Sequence, residues 1–163
     1  MPPATHRTER VRGAGLMLAA DIYGDPTDPA VVLLHGGGQT RHAWGGAAVA
    51  LARAGYHAIS VDLRGHGDSD WTPDGSYGID QFAADVVALS EQFANAHGAP
   101  AFVGASLGGL SVMVAVGETA TERQRSVASS IVLVDVAPRV EAEGRDRIRD
   151  FMNAGLRGFD SLD

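Results

Sequence analysis

Two glycine-rich strings hold the residue types that acyl-transfer chemistry requires. Residues 104–108 are Gly-Ala-Ser-Leu-Gly, a G-x-S-x-G pattern between an apolar run and a segment of helical character. A serine on so sharp a strand-to-helix turn needs a positive φ, and it tolerates only small residues two positions away. The pattern therefore predicts Ser106 as a nucleophile exposed at the tip of this turn.

The second string is His-Gly-Gly-Gly at residues 35–38, directly after the apolar run 30–34. This string is much rarer by chance in such a composition than G-x-S-x-G. A tight glycine turn exposes backbone NH groups, and two such groups aimed at one point stabilise the oxyanion of a tetrahedral acyl intermediate. We therefore predict an oxyanion hole made by the backbone NH groups of Gly37 and Leu107.

The elements that position these strings alternate along the chain. Two early strands joined at Gly13 and Gly15 indicate a hairpin, and buried apolar runs then alternate with segments of helical spacing. The predicted strands cover His6–Arg12, Leu16–Tyr23, Ala30–Leu34, His57–Leu63, Ala101–Ala105 and Ser130–Val134, and the predicted helices cover Trp44–Ala54, Ile79–Ala96 and Leu107–Gly117. This order predicts the α/β class, with a mostly parallel sheet and helices on both of its faces.

The functional site is expected beyond the carboxyl ends of the strands, where ligands bind in sheets of this kind. Gly37, Arg64, Ser106 and Asp135 follow or close predicted strands. Asp135 is the one carboxylate after Ser106 that closes a buried strand. It is a candidate catalytic acid, and the alternative is a strand-end aspartate that accepts hydrogen bonds from nearby backbone NH groups.

The order of the strings and elements resembles the α/β-hydrolase family. The resemblance rests on residues 35–38, on Asp-Leu-Arg-Gly-His-Gly-Asp-Ser at 62–69 and on Gly-Ala-Ser-Leu-Gly-Gly at 104–109, and it extends over about residues 16–138. It implies a serine hydrolase with Ser106 as nucleophile. It also implies that residues 1–137 are the N-terminal part of the hydrolase core, followed at 138–163 by the start of a lid.

Within that family the sequence is most similar to bacterial esterases, perhydrolases and carbon–carbon bond hydrolases. Epoxide hydrolases and haloalkane dehalogenases of this fold carry an aspartate as nucleophile, so Ser106 opposes both of those chemistries. The resemblance implies hydrolysis of an ester or a related small acyl substrate, and no cofactor is expected. No metal is expected either, because the spacing of Asp68, Asp70 and Asp74 lacks the Gly and Glu positions of a calcium loop.

The sequence departs from the family pattern at the catalytic base. The family order is Ser, then Asp or Glu, then His, whereas the last histidine here is His97, nine positions before Ser106. His42 and His66 could lie near the pocket, but histidines in such places are more often structural hydrogen-bonding groups. We therefore expect a hydrolase truncated before its catalytic His, inactive as this chain alone. The alternative is a non-catalytic ligand-binding or interaction module on the same scaffold.

The amino-acid composition argues against several other classes of function. The 163 residues hold 13 Arg, no Lys and 20 acidic residues, and the net charge of −7 opposes binding to nucleic acid. The absence of Cys excludes a thiolate metal cluster and a cysteine nucleophile. The acidic residues of segment 62–91 predict a solvated acidic face. No apolar leader or membrane-spanning run is visible, so a cytoplasmic protein is expected.

The last predicted strand has a consequence for association. If the sheet ends at residues 130–134, that strand is an edge with unpaired NH and C=O groups and an apolar side chain at almost every position. Such an edge predicts self-association of the chain.

Overall fold

Six strands of one sheet lie within residues 6–119, 126–136 and 150, the part of the chain that the computed structural model describes. The strands are β1 (His6–Arg12), β2 (Met17–Tyr23), β3 (Ala30–Leu34), β4 (His57–Val61), β5 (Ala101–Ala105) and β6 (Ile131–Val134). The helices are α1 (Gly45–Arg53), α2 (Ile79–Phe93) and α3 (Leu107–Thr119), with a short 3₁₀ helix at Arg41–Trp44. Every predicted strand and helix is present.

The sheet has the order β1-β2-β4-β3-β5-β6. β1 and β2 form the predicted hairpin, and β2 is also antiparallel to β4. β4, β3, β5 and β6 are parallel to one another. Their carboxyl ends therefore meet at one edge, where residues 35, 62, 106 and 135 leave the strands. The predicted α/β class with a mostly parallel sheet is confirmed.

Helices pack on both faces of this sheet, as predicted. Val32 and Leu34 of β3 belong to the core cluster that α2 and α3 cover, whereas Val31 and Leu33 belong to the cluster that α1 covers. Successive side chains of a strand point to opposite faces. A strand between two helical layers is therefore apolar at every position, which explains the unbroken apolar run 30–34.

Helix α2 ends at Phe93 and not at the predicted Ala96. Ala94 is extended, with φ −62° and ψ 134°. The side chain of Asn95 then accepts a hydrogen bond from the His97 NH at 2.9 Å and donates one to the Asp28 carbonyl at 2.8 Å. These local bonds compete with the backbone hydrogen bonds that would continue the helix. Apolar spacing alone does not reveal them, so it predicted an end of α2 that is too late in the sequence.

Segment 62–91 is not the uniformly solvated acidic face that its charge predicts. Asp62 and Asp85 are 0% and 1% exposed. Asp62 pairs with the buried Arg41, and Asp85 pairs with the buried Arg64. An ionised carboxylate is buried only when it is paired and hydrogen-bonded. These two acids therefore belong to the buried interior and not to the solvated surface.

The edge strand β6 exposes its apolar side chains in the described structure. Its four residues, Ile131 to Val134, are between 36% and 52% exposed. The predicted lid segment 138–163 lies outside the described residues except for Asp150. Among the described helices, none combines the length and the hydropathy that crossing a membrane requires.

Candidate functional site

Ser106 occupies the turn between β5 and α3. Its φ of 44° lies in the left-handed region, which non-glycine residues rarely adopt, and its side chain is exposed. The Ser106 NH donates to the Val134 carbonyl at 3.2 Å, and the Ser106 carbonyl accepts from the Leu110 NH at 2.9 Å. The backbone is therefore held on both sides of a strained residue, in the sharp turn that the sequence predicts.

The glycines around Ser106 are required by close backbone contacts. A methyl group at Gly104 would lie 2.6 Å from the Gly109 nitrogen, and one at Gly108 would lie 2.5 Å from the Leu34 carbonyl oxygen. Real Cβ atoms essentially never come that close to backbone. Strand β5, the start of α3 and the end of β3 therefore meet at a distance that only glycine allows.

The glycine turn at 35–38 lies beside Ser106. A methyl group at Gly36 would lie 3.5 Å from the Ser106 Cβ, and one at Gly37 would lie 3.9 Å from the Leu107 Cδ2. The Gly108 NH also donates to the His35 carbonyl at 3.2 Å. The two strings that the sequence singles out are thus in contact.

Three of the four NH groups at residues 36–39 are already hydrogen-bonded. The Gly36 NH donates to the Gln39 Oε1 at 2.9 Å, and the Gly38 NH donates to the His66 Nε2 at 3.2 Å. The Gln39 NH donates to the Gly36 carbonyl at 3.1 Å. Within the described part of the chain, the Gly37 NH has no hydrogen-bond acceptor.

The Leu107 NH is available for a different reason. Leu107 is the first residue of α3, and the first NH groups of a helix have no carbonyl partner within that helix. The positive end of the helix dipole lies at the same place and favours negative charge beside Ser106. The two NH groups predicted from the sequence, those of Gly37 and Leu107, therefore lie close together beside the serine with no acceptor among the described residues.

All six histidines are described, and none of them hydrogen-bonds to Ser106. Nδ1 of His42 lies 3.5 Å from the Asp21 Oδ2, so this candidate base contacts Asp21 and not Ser106. Both ring nitrogens of His66 already contact backbone, Nε2 at Gly38 and Nδ1 at 3.0 Å from the Arg64 carbonyl. The structure brings His66 to the glycine turn but brings neither candidate to the serine as a base.

The remaining histidines lie farther from the serine or are fully engaged. His57 begins β4 at the opposite edge of the sheet, and His97 follows the end of α2. His35 is 0% exposed, its Nε2 accepts from the Leu63 NH at 3.0 Å, and its Nδ1 lies 2.7 Å from the Gly36 carbonyl. Burial lowers the pKa of His35 below its ordinary 6.5, so the ring is neutral.

Asp135 directly follows β6, where Val134 is in register with Ala105. It is therefore in line with Ser106 at the edge of the sheet. Its φ of 51° is also in the left-handed region, and its side chain is exposed. No hydrogen bond joins its carboxylate to the described residues, so the alternative of a strand-end aspartate bonded to backbone NH groups finds no such bond there.

The loop after β4 is shaped by buried charges. The Arg64 guanidinium donates to both oxygens of Asp85, at 2.7 and 2.6 Å, and to the Ala14 carbonyl at 3.2 Å. Asp62 accepts from the Arg41 NH at 2.6 Å and from the Asp68 NH at 2.9 Å. These bonds hold the loop after β4 in place.

Sequence reasoning did not find the partners of these arginines. Asp85 lies on the apolar stripe of α2 together with Phe82 and Val86. An acidic residue in that position indicates a buried cationic partner, and this was the available signal.

Nearby, a cavity of about 480 Å³ lies between the β1–β2 turn, the loop 72–76 and the start of α2, and its lining does not include Ser106.

This arrangement of the sheet, the turn at Ser106 and the glycine turn at 35–38 is found in a known class of protein. Residues 29–152 match the alpha/beta hydrolase fold family, and the chain belongs to that family. Among its relatives, it is 38% identical to the esterase Rv0045c of Mycobacterium tuberculosis over 110 residues, which are 68% of this chain and 34% of that protein. It is 35% identical to epoxide hydrolase B of the same organism over 89 residues, which are 54% of this chain and 25% of that one.

A solved structure gives the same result. The crystal structure of an alpha/beta hydrolase from Novosphingobium aromaticivorans matches with a TM-score of 0.72 and 30% identity, over 91% of this chain and 50% of that one. The chain thus spans a quarter to a third of the two curated relatives and half of this solved structure.

Proposed function

We propose that the protein is a serine hydrolase that forms an acyl-enzyme on Ser106 with an ester or a related acyl substrate. The observation that carries this proposal is the exposed, positive-φ Ser106 beside the free NH groups of Gly37 and Leu107. A nucleophile on a strained turn, next to two backbone NH donors, is what attack on a carbonyl requires. The similarity to an esterase over two thirds of this chain supports the same chemistry.

The reaction begins when the Ser106 oxygen attacks the acyl carbon and gives its proton to a base. The carbonyl oxygen then carries the negative charge, and the NH groups of Gly37 and Leu107 donate hydrogen bonds to it. The tetrahedral intermediate collapses, the alcohol leaves with the proton, and the acyl group stays on Ser106. Water, or a peroxide in perhydrolysis, then attacks the ester and frees the serine.

The base is the unassigned part of this mechanism. Because none of the six histidines bonds to Ser106, we propose that the base is supplied from outside these 163 residues, with Asp135 as the candidate acid that orients it. Similarity to epoxide hydrolase B does not favour epoxide chemistry here, because the family resemblance implies an aspartate nucleophile for that chemistry, whereas this chain has Ser106. We also propose that segment 138–163 begins a lid and that the protein is cytoplasmic.

A fluorophosphonate probe tests the nucleophile. Covalent labelling should occur at Ser106 in a longer form of the protein that includes a base, and it should be lost in Ser106→Ala. The matched control is Ser129→Ala, an exposed serine before β6, which should label normally. Labelling that persists in Ser106→Ala would contradict the assignment.

The second candidate is a non-catalytic binding module, which the lack of a histidine beside Ser106 favours. In that case the longer protein never labels at Ser106, although it binds acyl compounds. Isothermal titration then shows binding of a hydrolysable acyl substrate, and the absence of turnover of that same substrate by the longer protein separates the two functions.

A further inference from the structure

Two histidines tie the loops after β3 and β4 together in a reciprocal way. His35, at the end of β3, accepts a hydrogen bond from the Leu63 NH in the loop after β4. His66, in that loop, accepts one from the Gly38 NH in the turn after β3. The centroids of the two imidazole rings are 5.1 Å apart. Each segment therefore carries an imidazole ring that accepts a hydrogen bond from the backbone of the other.

The bonds of His66 define its protonation state. Its Nε2 faces an NH donor and must carry a lone pair, and its Nδ1 lies 3.0 Å from the Arg64 carbonyl and must carry a proton. The neutral tautomer with the proton on Nδ1 satisfies both contacts, whereas the imidazolium would direct an N–H at the Gly38 N–H. His66 can hold the turn only while it is neutral.

We propose that His66 is a positioning residue for the oxyanion hole. By holding the Gly38 NH, it fixes the peptide that follows Gly37 and leaves the Gly37 NH as the free donor of the turn. Gln39 acts from the other side, because its side chain occupies the Gly36 NH. The catalytic consequence rests on the proposed serine hydrolase function, whereas the effect on the turn does not.

The titratable and charged groups around His66 have partners of their own. His35 is the titratable group of the turn, and burial keeps it neutral, with a pKa below the usual value. In its own loop, Arg64 is bonded to Asp85. Asp62 and Asp68 both pair with Arg41 of the 3₁₀ helix. Each of these charged side chains is therefore paired with another charged side chain, and the acceptor of the Gly38 NH is His66.

The direct test is nuclear magnetic resonance of the ¹⁵N-labelled protein. Long-range ¹H–¹⁵N spectra should show His66 protonated on Nδ1 alone. The Gly38 amide should be protected in the wild type, and loss of its bond to His66 should make its hydrogen exchange about tenfold faster, as expected for loss of one hydrogen bond. The control His42→Gln, an exposed histidine without a bond to the turn, should leave both unchanged.

Two variants separate a positioning role from a merely structural one. His66→Gln keeps an acceptor near the Nε2 position, so the Gly38 amide should stay protected. His66→Phe keeps a ring but no acceptor, so exchange of this amide should be fast. In a longer form with activity, His66→Phe should lower kcat about tenfold with little change in KM, and His66→Gln should restore most of it.

The outcomes distinguish this inference from the proposed function. A proton on Nε2 of His66, or a Gly38 amide that exchanges equally in the wild type and in His66→Phe, would overturn the positioning role. Lack of Ser106-dependent labelling in the longer form would refute the hydrolase function. The positioning role of His66 would then still be decided by hydrogen exchange of the Gly38 amide.

Discussion

The strained backbone conformation of Ser106 depends on neighbouring glycines, which have no side chain. Because a methyl group at Gly108 would lie 2.5 Å from the Leu34 carbonyl oxygen, an alanine there forces strand and helix apart. The cost is expected to be about 2 kcal/mol or more, as for other overpacked interior sites. The turn then also loses the contact between Ser106 and residues 35–38.

Gly108→Ala should therefore lower the free energy of unfolding and abolish labelling of Ser106 in a form with activity. Gly117→Ala is the matched control, since Gly117 lies in the same helix with open space around it. Removing a helical glycine should stabilise the protein by about 0.5–1 kcal/mol. Urea denaturation of both variants is the measurement, and equal effects would show that backbone contact does not explain Gly108.

A second residue-scale prediction concerns pH. Burial lowers the pKa of His35 and of His57 in the folded state, so the unfolded chain binds more protons as pH falls below about 6.5. The free energy of unfolding should thus be constant above that pH and fall below it, by at most about 1.4 kcal/mol per pH unit for each histidine.

His35→Gln should make this dependence shallower without removing it, because His57 still contributes. The exposed His97 supplies the control, and His97→Gln should leave the slope as in the wild type. Chemical denaturation at a series of pH values measures the slope. A slope that is the same in His35→Gln and in the wild type would mean that the His35 ring is not the group responsible.

At the scale of elements, one buried ion pair joins three segments. Asp85 of α2 accepts hydrogen bonds from Arg64 and from the Ala14 NH of the β1–β2 turn, the latter at 2.8 Å. Removing one partner of such a pair leaves an uncompensated buried charge, which costs about 3–5 kcal/mol. The pair therefore couples the hairpin and the loop after β4 to α2.

Asp85→Ala should destabilise the protein by about that amount, and the double variant Arg64→Met with Asp85→Leu should recover most of the loss. Asp80→Ala, an exposed acid in the first turn of the same helix, should cost less than about 1 kcal/mol. Thermal and urea unfolding of the four proteins test this. If the double variant were as unstable as Asp85→Ala, the cost would come from packing and not from an unpaired charge.

The elements show where sequence reasoning succeeds and where it fails. Strands such as β3 follow from unbroken apolar runs, and the turn at Ser106 follows from glycines at fixed spacing, because both signals are local. The pairing of Arg64 with Asp85 and of His66 with Gly38 joins residues 21 and 28 positions apart. Such pairs become visible only when it is known which loops lie side by side, and one acid on an apolar stripe was the single local hint.

At the scale of the whole molecule, the apolar edge strand β6 is expected to drive self-association, which we propose as the partner interaction of this chain. Val132, the most exposed apolar residue of the strand, is 52% exposed. A charge on an edge strand opposes pairing with another edge. Val132→Lys should therefore lower the apparent mass of the purified chain.

Light scattering over a range of concentrations measures that mass. Trp71→Lys is the control, because Trp71 is 72% exposed but lies in a loop outside the sheet, so it should leave the association unchanged. A wild-type chain that is monomeric at every concentration would refute the role of the edge, and an equal effect of both variants would point to general surface hydrophobicity.

The chain of 163 residues should also be inactive by itself. Without a base to accept the serine proton, Ser106 is a weak nucleophile. Hydrolysis of p-nitrophenyl acetate by the wild type should match that of Ser106→Ala. Turnover that depends on Ser106 would mean that a group within this chain serves as the base.

The order of the strands also has a consequence for synthesis on the ribosome. The strands β1 to β4 are neighbours, and all of them have been made once residue 61 has been added, whereas β5 and β6 join later and on one side only. Chains begin to fold from the N-terminal side during synthesis. The glycine turn at 35–38 can thus form early, but the Ser106 NH has no acceptor until Val134 arrives. We expect the turn at Ser106 to take its final shape later than the glycine turn in the growing chain.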